Sequence, residues 1–177
     1  MSRAAIEACN WQEPGGLPEV NRMVDFIEGL GIEVFVDTVP DAEEMGMTIR
    51  KGAIIIDPAA PVYPGDLLHE AGHLAVADPQ QRATMEQMSD DPGEEMAAIA
   101  WSAAATVPCE ITLEVLFHDM GYKGHAASLR MNFSQGNFLG VPMLAMWDMT
   151  AELHRPTPDM PAYPRMTRWL RGGDPVA

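Results

Sequence analysis

The sequence predicts an α+β domain: a small, mostly antiparallel sheet packed on a central helix, with further helices downstream. Three observations predict it. Short runs rich in β-branched residues fall between residues 32 and 57. A segment carrying two histidines at helical spacing follows them, and alanine-rich sequence of high helix propensity comes next.

The elements follow in order. Residues 17–30 place Val20, Met23, Val24, Ile27 and Leu30 at helical spacing, with Pro18 suited to the first turn and Gly29 and Gly31 to the end. Residues 32–37 read as a strand. Residues 47–50, the Lys51–Gly52 pair and residues 53–57 read as a hairpin, giving about three strands. After a Pro-rich connector over 58–65, a helix is expected over 65–77, with Asp66 as its N-cap and Asp78 and Pro79 as its stop. Residues 79–88 read as a short helix or loop, and 90–93 as a turn. Residues 94–107 read as a helix closed by Pro108. Residues 110–121, parts of 124–131 and 142–153 complete the helical set, with 132–140 as a loop. Pro156, Pro158, Pro161, Pro164 and Pro175 mark an irregular C-terminal stretch. The expected organisation is therefore one domain over 1–154 and a Pro-rich tail over 155–177.

Composition narrows the function classes. At 177 residues and 47% apolar content the chain can bury a real core. Its net charge of −15 repels phosphate backbones, so no direct nucleic-acid partner is expected. Two cysteines, Cys9 and Cys109, read as reduced thiols rather than a disulfide framework. No leader pattern is visible at the N-terminus, and no apolar run approaches the ~18 residues needed to span a bilayer. The expectation is a soluble cytoplasmic protein without a membrane partner.

The chemistry lies in residues 69–73, His-Glu-Ala-Gly-His, an HExxH sequence. On a helix, positions i and i+4 share a face, so His69 and His73 can hold one zinc ion. Glu70, one residue round, can reach a zinc-activated water as general base. A catalytic zinc takes a third protein ligand and keeps a position open. An HExxHxxGxxH arrangement would need a ligand at position 79, and Pro79 offers none. Asp78 sits where the helix ends. Glu94 and Glu95 open the next helix, where a carboxylate serves equally well as ligand or as partner to the helix dipole.

The stretches AIIID, LLHEAGHLAV and EEMAAIAWSAAATVP resemble the ImmA/IrrE family of small gluzincin metallopeptidases over residues 32–108. Members follow the HExxH helix with one of the form E-x-x-A-N-x-F-A-A-x-L-L-x-P. In that register Glu95 takes the leading Glu, Ala98 the Ala, Trp101 the aromatic, Ser102 and Ala103 the small pair and Pro108 the Pro. The resemblance implies a zincin-like fold and Zn2+ held by His69, His73 and Glu95, with Glu70 catalytic. It also implies a protein or peptide substrate, transcriptional regulators among them. Ile99 stands where Asn is usual, and Ala105 and Thr106 where Leu-Leu is usual. The missing Asn would have supported a metal-binding histidine.

His118, Tyr122 and His125 are the candidates for stabilising an oxyanion. Two other functions fit the same residues. One is an inactive zincin-like domain that binds a partner protein; the other is a zinc hydrolase acting on a non-peptide substrate.

Overall fold

A computed structural model of the protein describes residues 2–39 and 46–176; Met1, residues 40–45 and Ala177, which belong to the expected domain and tail, lie outside them. Among the described residues, α1 (Arg3–Glu7) and α2 (Leu17–Gly29) precede β1 (Val34–Val36), β2 (Met47–Arg50) and β3 (Ala53–Ile56). Then come α3 (Pro64–Val76), α4 (Pro92–Cys109), α5 (Leu113–Leu116), α6 (Ala126–Ser134) and α7 (Val141–Met146). The architecture is α+β.

The α2 helix forms where the periodicity places it. Val20, Met23, Val24 and Ile27 are buried, and Glu19 accepts a hydrogen bond from the Gly16 N–H at 3.1 Å. The β2–β3 hairpin turns through Lys51 at φ 51° and Gly52 at φ 71°. Two consecutive positive φ values suit the twist of a two-residue hairpin turn.

The sheet differs from expectation in one respect. Its order is β1-β3-β2, with β2 antiparallel to β3 but β1 parallel to it, so the sheet is mixed. All four residues of β3 are buried, as befits a central strand bonded on both edges. That apolar run shows centrality, while strand direction depends on the path of the chain between β1 and β2.

The boundaries of five helices also differ. α3 begins at Pro64 after Tyr63, so Asp66 lies inside its first turn and is not its N-cap. Asp91 caps α4, accepting from Gly93 N at 2.7 Å and Glu94 N at 3.1 Å. Pro108 lies within the last turn of α4, and the helix stops at Glu110, in the left-handed region at φ 51°. The helix expected over 110–121 shrinks to α5, because Phe117 leaves helical geometry and carries His118 inward. Residues 132–134, expected in a loop, extend α6, and the last helix ends at Met146, short of 153.

The most extensive helix pairing is between α3 and α4. A Cβ on Gly72 would lie 2.8 Å from the Ala98 carbonyl oxygen and 2.9 Å from Ser102 Oγ, so only hydrogen fits there. Ser102 Oγ sits between the carbonyl oxygens of Leu68, at 2.9 Å, and Ala98, at 2.7 Å. At the other end of α3, Gly65 abuts the backbone of Val115 and Leu116 in α5.

The C-terminal stretch folds over the domain. Tyr163 and Met166 are buried in the main core, Tyr163 donates its hydroxyl to the Ala100 carbonyl at 2.9 Å, and Trp101 donates its indole N–H to Trp169 O at 2.7 Å. Each fully buried side chain of this size contributes about 1.5–3 kcal/mol, against about 5–15 kcal/mol for a whole domain. A chain ending at residue 154 is therefore expected to lose cooperative thermal unfolding, read by calorimetry and near-UV circular dichroism. The free thiols Cys9 and Cys109 are also buried, and burial pushes Cys109 up to about 12. Ellman's reagent at neutral pH should label Cys109 only after unfolding.

Candidate metal centre

The α3 helix presents His69 and His73 on one face, with ring centroids 4.7 Å apart and planes at 77°. Their Nε2 atoms are 3.3 Å apart. Glu95, in the first turn of α4, brings Oε2 to 3.2 Å from His73 Nε2 and Oε1 to 3.8 Å from His69 Nε2. Ligand bonds of about 2.0–2.1 Å in a tetrahedral site put neighbouring ligand atoms about 3.3 Å apart. The three groups thus converge on one point at close to the separation a zinc ion needs.

The electrostatics of His69 and Glu95 suit a cation. Burial, then the neighbouring His73, lowers His69 to about 4, which leaves its imidazole neutral. The hydrogen bond from His73 holds Glu95 below its usual value. Two imidazoles and a carboxylate facing one another are a donor set for a divalent ion. His73 is 2% exposed, whereas the Glu95 side chain is 44% exposed, so the centre has a closed inner wall and an open outer one.

Glu94 points elsewhere: its carboxylate lies 3.7 Å from Arg171, whose guanidinium also covers the Trp147 ring. Asp78 caps the turn after α3 by accepting from Gln80 N at 2.8 Å. Of the three carboxylates the sequence left open, Glu95 is the one beside the histidines.

Glu70 is buried, and its Oε2 has no hydrogen-bond partner among the described residues. Burial, then the charges of Asp66 and Glu95, raise it to about 8. A carboxylate in that range can take a proton from water and later return it.

The three expected oxyanion candidates separate. His118 is buried with Nε2 at 2.9 Å from Asp66 Oδ1, its ring stacked on Tyr63 at 4.1 Å. His125 is exposed at the start of α6. Tyr122 sets its ring edge-on to His69 at 5.2 Å, and its buried hydroxyl has no partner among the described residues. Tyr122 has φ 55°, Lys123 φ 51° and Gly124 φ 81°. A left-handed backbone costs a residue other than glycine about 1–2 kcal/mol, so the packing around Tyr122 holds it there.

The structure adds residues the sequence reading gave no such place. Asp66 stands one turn before Glu70 on α3, a spacing readable from the sequence. Arg82 donates to the carbonyls of Leu74 at 2.7 Å, Ala75 at 3.2 Å and Ala77 at 3.3 Å, closing the C-terminal end of the histidine helix. No short-range pattern announces that contact. Nδ1 of both His69 and His73 is buried without a partner among the described residues. Ile99, one turn after Glu95, has no polar atom to offer either of them.

Compared with protein-family models, curated proteins and solved structures, the chain matches none.

Glycine to alanine on an exposed helix gains about 1 kcal/mol. At Gly72 the opposite is expected: Gly72→Ala should cost about 1–3 kcal/mol in urea unfolding, because α3 and α4 must move apart to admit the methyl group.

Proposed function

We propose that the protein is a zinc-dependent metallopeptidase of the ImmA/IrrE type, with a zincin-like core, that hydrolyses a peptide bond in a protein substrate. The observation that carries this reading is the convergence of His69, His73 and Glu95 on one point with the buried carboxyl of Glu70 on the same helix. The sequence resemblance, carried in part by the same residues, also supports it. Transcriptional regulators are the substrate class that resemblance suggests, and the two free thiols accord with a reducing, cytoplasmic setting.

His69, His73 and Glu95 would hold the ion. A zinc ion held there would supply Lewis acidity to the attacking water and to the scissile carbonyl. Glu70 takes a proton from the attacking water as its oxygen bonds to the scissile carbon. It then passes that proton to the amide nitrogen as the carbon–nitrogen bond breaks. The apolar packing of α3 against α4 fixes Glu95 relative to the histidines and keeps bulk water from the inner wall.

The first test is elemental analysis of purified wild type and variants. About one zinc per chain is expected in wild type and Glu94→Ala, and little in His73→Ala or Glu95→Ala. Glu70→Gln should keep its zinc and lose about 10²–10⁴-fold in cleavage rate. Undiminished turnover by that variant would refute the role given to Glu70.

The unpartnered Nδ1 atoms favour a second reading, a weakly metallated domain that acts by binding a partner. Metal-ligating histidines ordinarily donate that N–H, and losing the acceptor costs about 10–100-fold in affinity. Ile99→Asn is accordingly expected to tighten zinc binding by about tenfold or more in a competition titration with a chelator. No zinc in either wild type or this variant would favour the partner-binding domain.

A further inference from the structure

Glu70 and Glu95 each have a task in the mechanism above; Asp66, on the same helix as Glu70, has none. We propose that Asp66 is a substrate-binding residue of that reaction: its second carboxylate oxygen binds a cationic group of the peptide, an ammonium or a guanidinium, close to the scissile bond. The inference rests on the metallopeptidase reading and deepens it by assigning a charge to the substrate.

Position is the first argument. Asp66 lies three residues before His69 and four before Glu70 on α3, so the three share one side of the helix. Its charge acts on His69, on Glu70 and on the hydroxyl of Tyr122. The Asp66 side chain is 32% exposed, whereas Glu70 and His73 on the same helix are 2% exposed. The carboxylate thus stands at the rim of the closed inner wall, open to solvent and close to the reacting groups. Fixation is the second argument. Oδ1 accepts a hydrogen bond from His118 Nε2 at 2.9 Å. His118 is itself buried, stacked on Tyr63 at 4.1 Å with planes at 5°, and a Cβ on Gly121 would lie 3.0 Å from its ring. Oδ2 accepts no hydrogen bond among the described residues. An acceptor held this firmly, with one oxygen left over, is the preformed half of a charge-assisted pair.

Charge is the third argument. Carboxylates elsewhere are met by arginine: Asp25 by Arg3, Asp37 by Arg50, Asp119 by Arg130 and Glu94 by Arg171. Asp66 has neither an arginine nor a lysine at ion-pair distance among the described residues. Partly burying an unpaired charge is unfavourable, so a site that keeps one is set to receive a cation from outside. The net charge of −15 draws cationic segments toward the protein and repels acidic ones. Two parts of a peptide carry that chemistry, its N-terminal ammonium and the side chain of a lysine or arginine.

The contact adds no chemical step. It holds one end of the peptide while Glu70 acts on the bond beside it. It also discriminates: a neutral peptide leaves Asp66 unpaired, and an anionic one meets it with like charge. The pair forms on binding and persists through the reaction, so KM carries the effect and kcat little of it.

The test is Asp66→Asn, which keeps an acceptor for His118 and removes the charge. Three probes are titrated into zinc-loaded protein at low ionic strength: leucine hydroxamate, with a free α-ammonium; Nα-acetyl-lysine hydroxamate, with a side-chain ammonium; and Nα-acetyl-leucine hydroxamate, with neither. Wild type is expected to bind one of the two ammonium probes about tenfold more tightly than the third, and the one preferred identifies the source of the cation. Asp66→Asn is expected to lose that preference while binding Nα-acetyl-leucine hydroxamate as wild type does, and Asp66→Glu, which keeps the charge, is expected to retain it. Equal affinity of wild type for all three probes overturns the inference while the metallopeptidase reading stands, and this comparison needs no variant to fold. A preference that persists in Asp66→Asn also overturns it. Wild type that holds no zinc overturns that reading and the inference with it.

Discussion

The close approach of α3 and α4 at Gly72 is the constraint on which the site depends. Hydrogen is the only side chain that lets the Ala98 carbonyl and the Ser102 hydroxyl come so near the α3 backbone. The alanines along α4 extend that contact: Ala97, Ala98, Ala104 and Ala105 are wholly buried. Because the two helices are this close, a carboxylate in the first turn of α4 reaches an imidazole in the last turns of α3.

The same packing carries an electrostatic cost. It surrounds ionisable groups with apolar surface, so Glu70 rises and His69 falls, each toward its neutral form. A domain holds such groups only if the framework around them is firm. Part of that firmness comes from two arginines, one nearby and one far along the chain. Arg82 closes the end of α3, and Arg171 bonds the Val76 carbonyl while facing Glu94 on α4. The C-terminal stretch is thus a clamp across the ends of the two helices that carry the donors.

A second constraint acts on the segment after α4. Helix propensity there is overridden by a tertiary contact: His118 is drawn inward to Asp66, Phe117 fills the core, and Arg130 holds the Phe117 carbonyl by hydrogen bond. The turn that results places Tyr122 against His69. A regular helix over the same residues would have pointed these side chains around a cylinder rather than toward one point.

Much of this was legible in the residues alone. Periodicity located α2, histidine spacing α3 and alanine propensity α4, and the paired turn residues Lys51 and Gly52 located the hairpin, because these signals act within a few positions of the chain. The HExxH spacing placed His69 and His73 on one face for the same reason. The family register pointed to Glu95; spacing alone left Asp78, Glu94 and Glu95 open, and in the packed structure only Glu95 faces the histidines. The parallel pairing of β1 with β3, the role of Asp66, the inward turn at His118 and the docking of Trp169 on Trp101 are contacts between distant segments. Local sequence determined α2, α3, α4, the hairpin and the face of α3 that carries the chemistry, because those signals act within a few positions; tertiary packing, through contacts tens of residues apart, decided the strand direction, the break after α4 and which side chains stand beside the histidines.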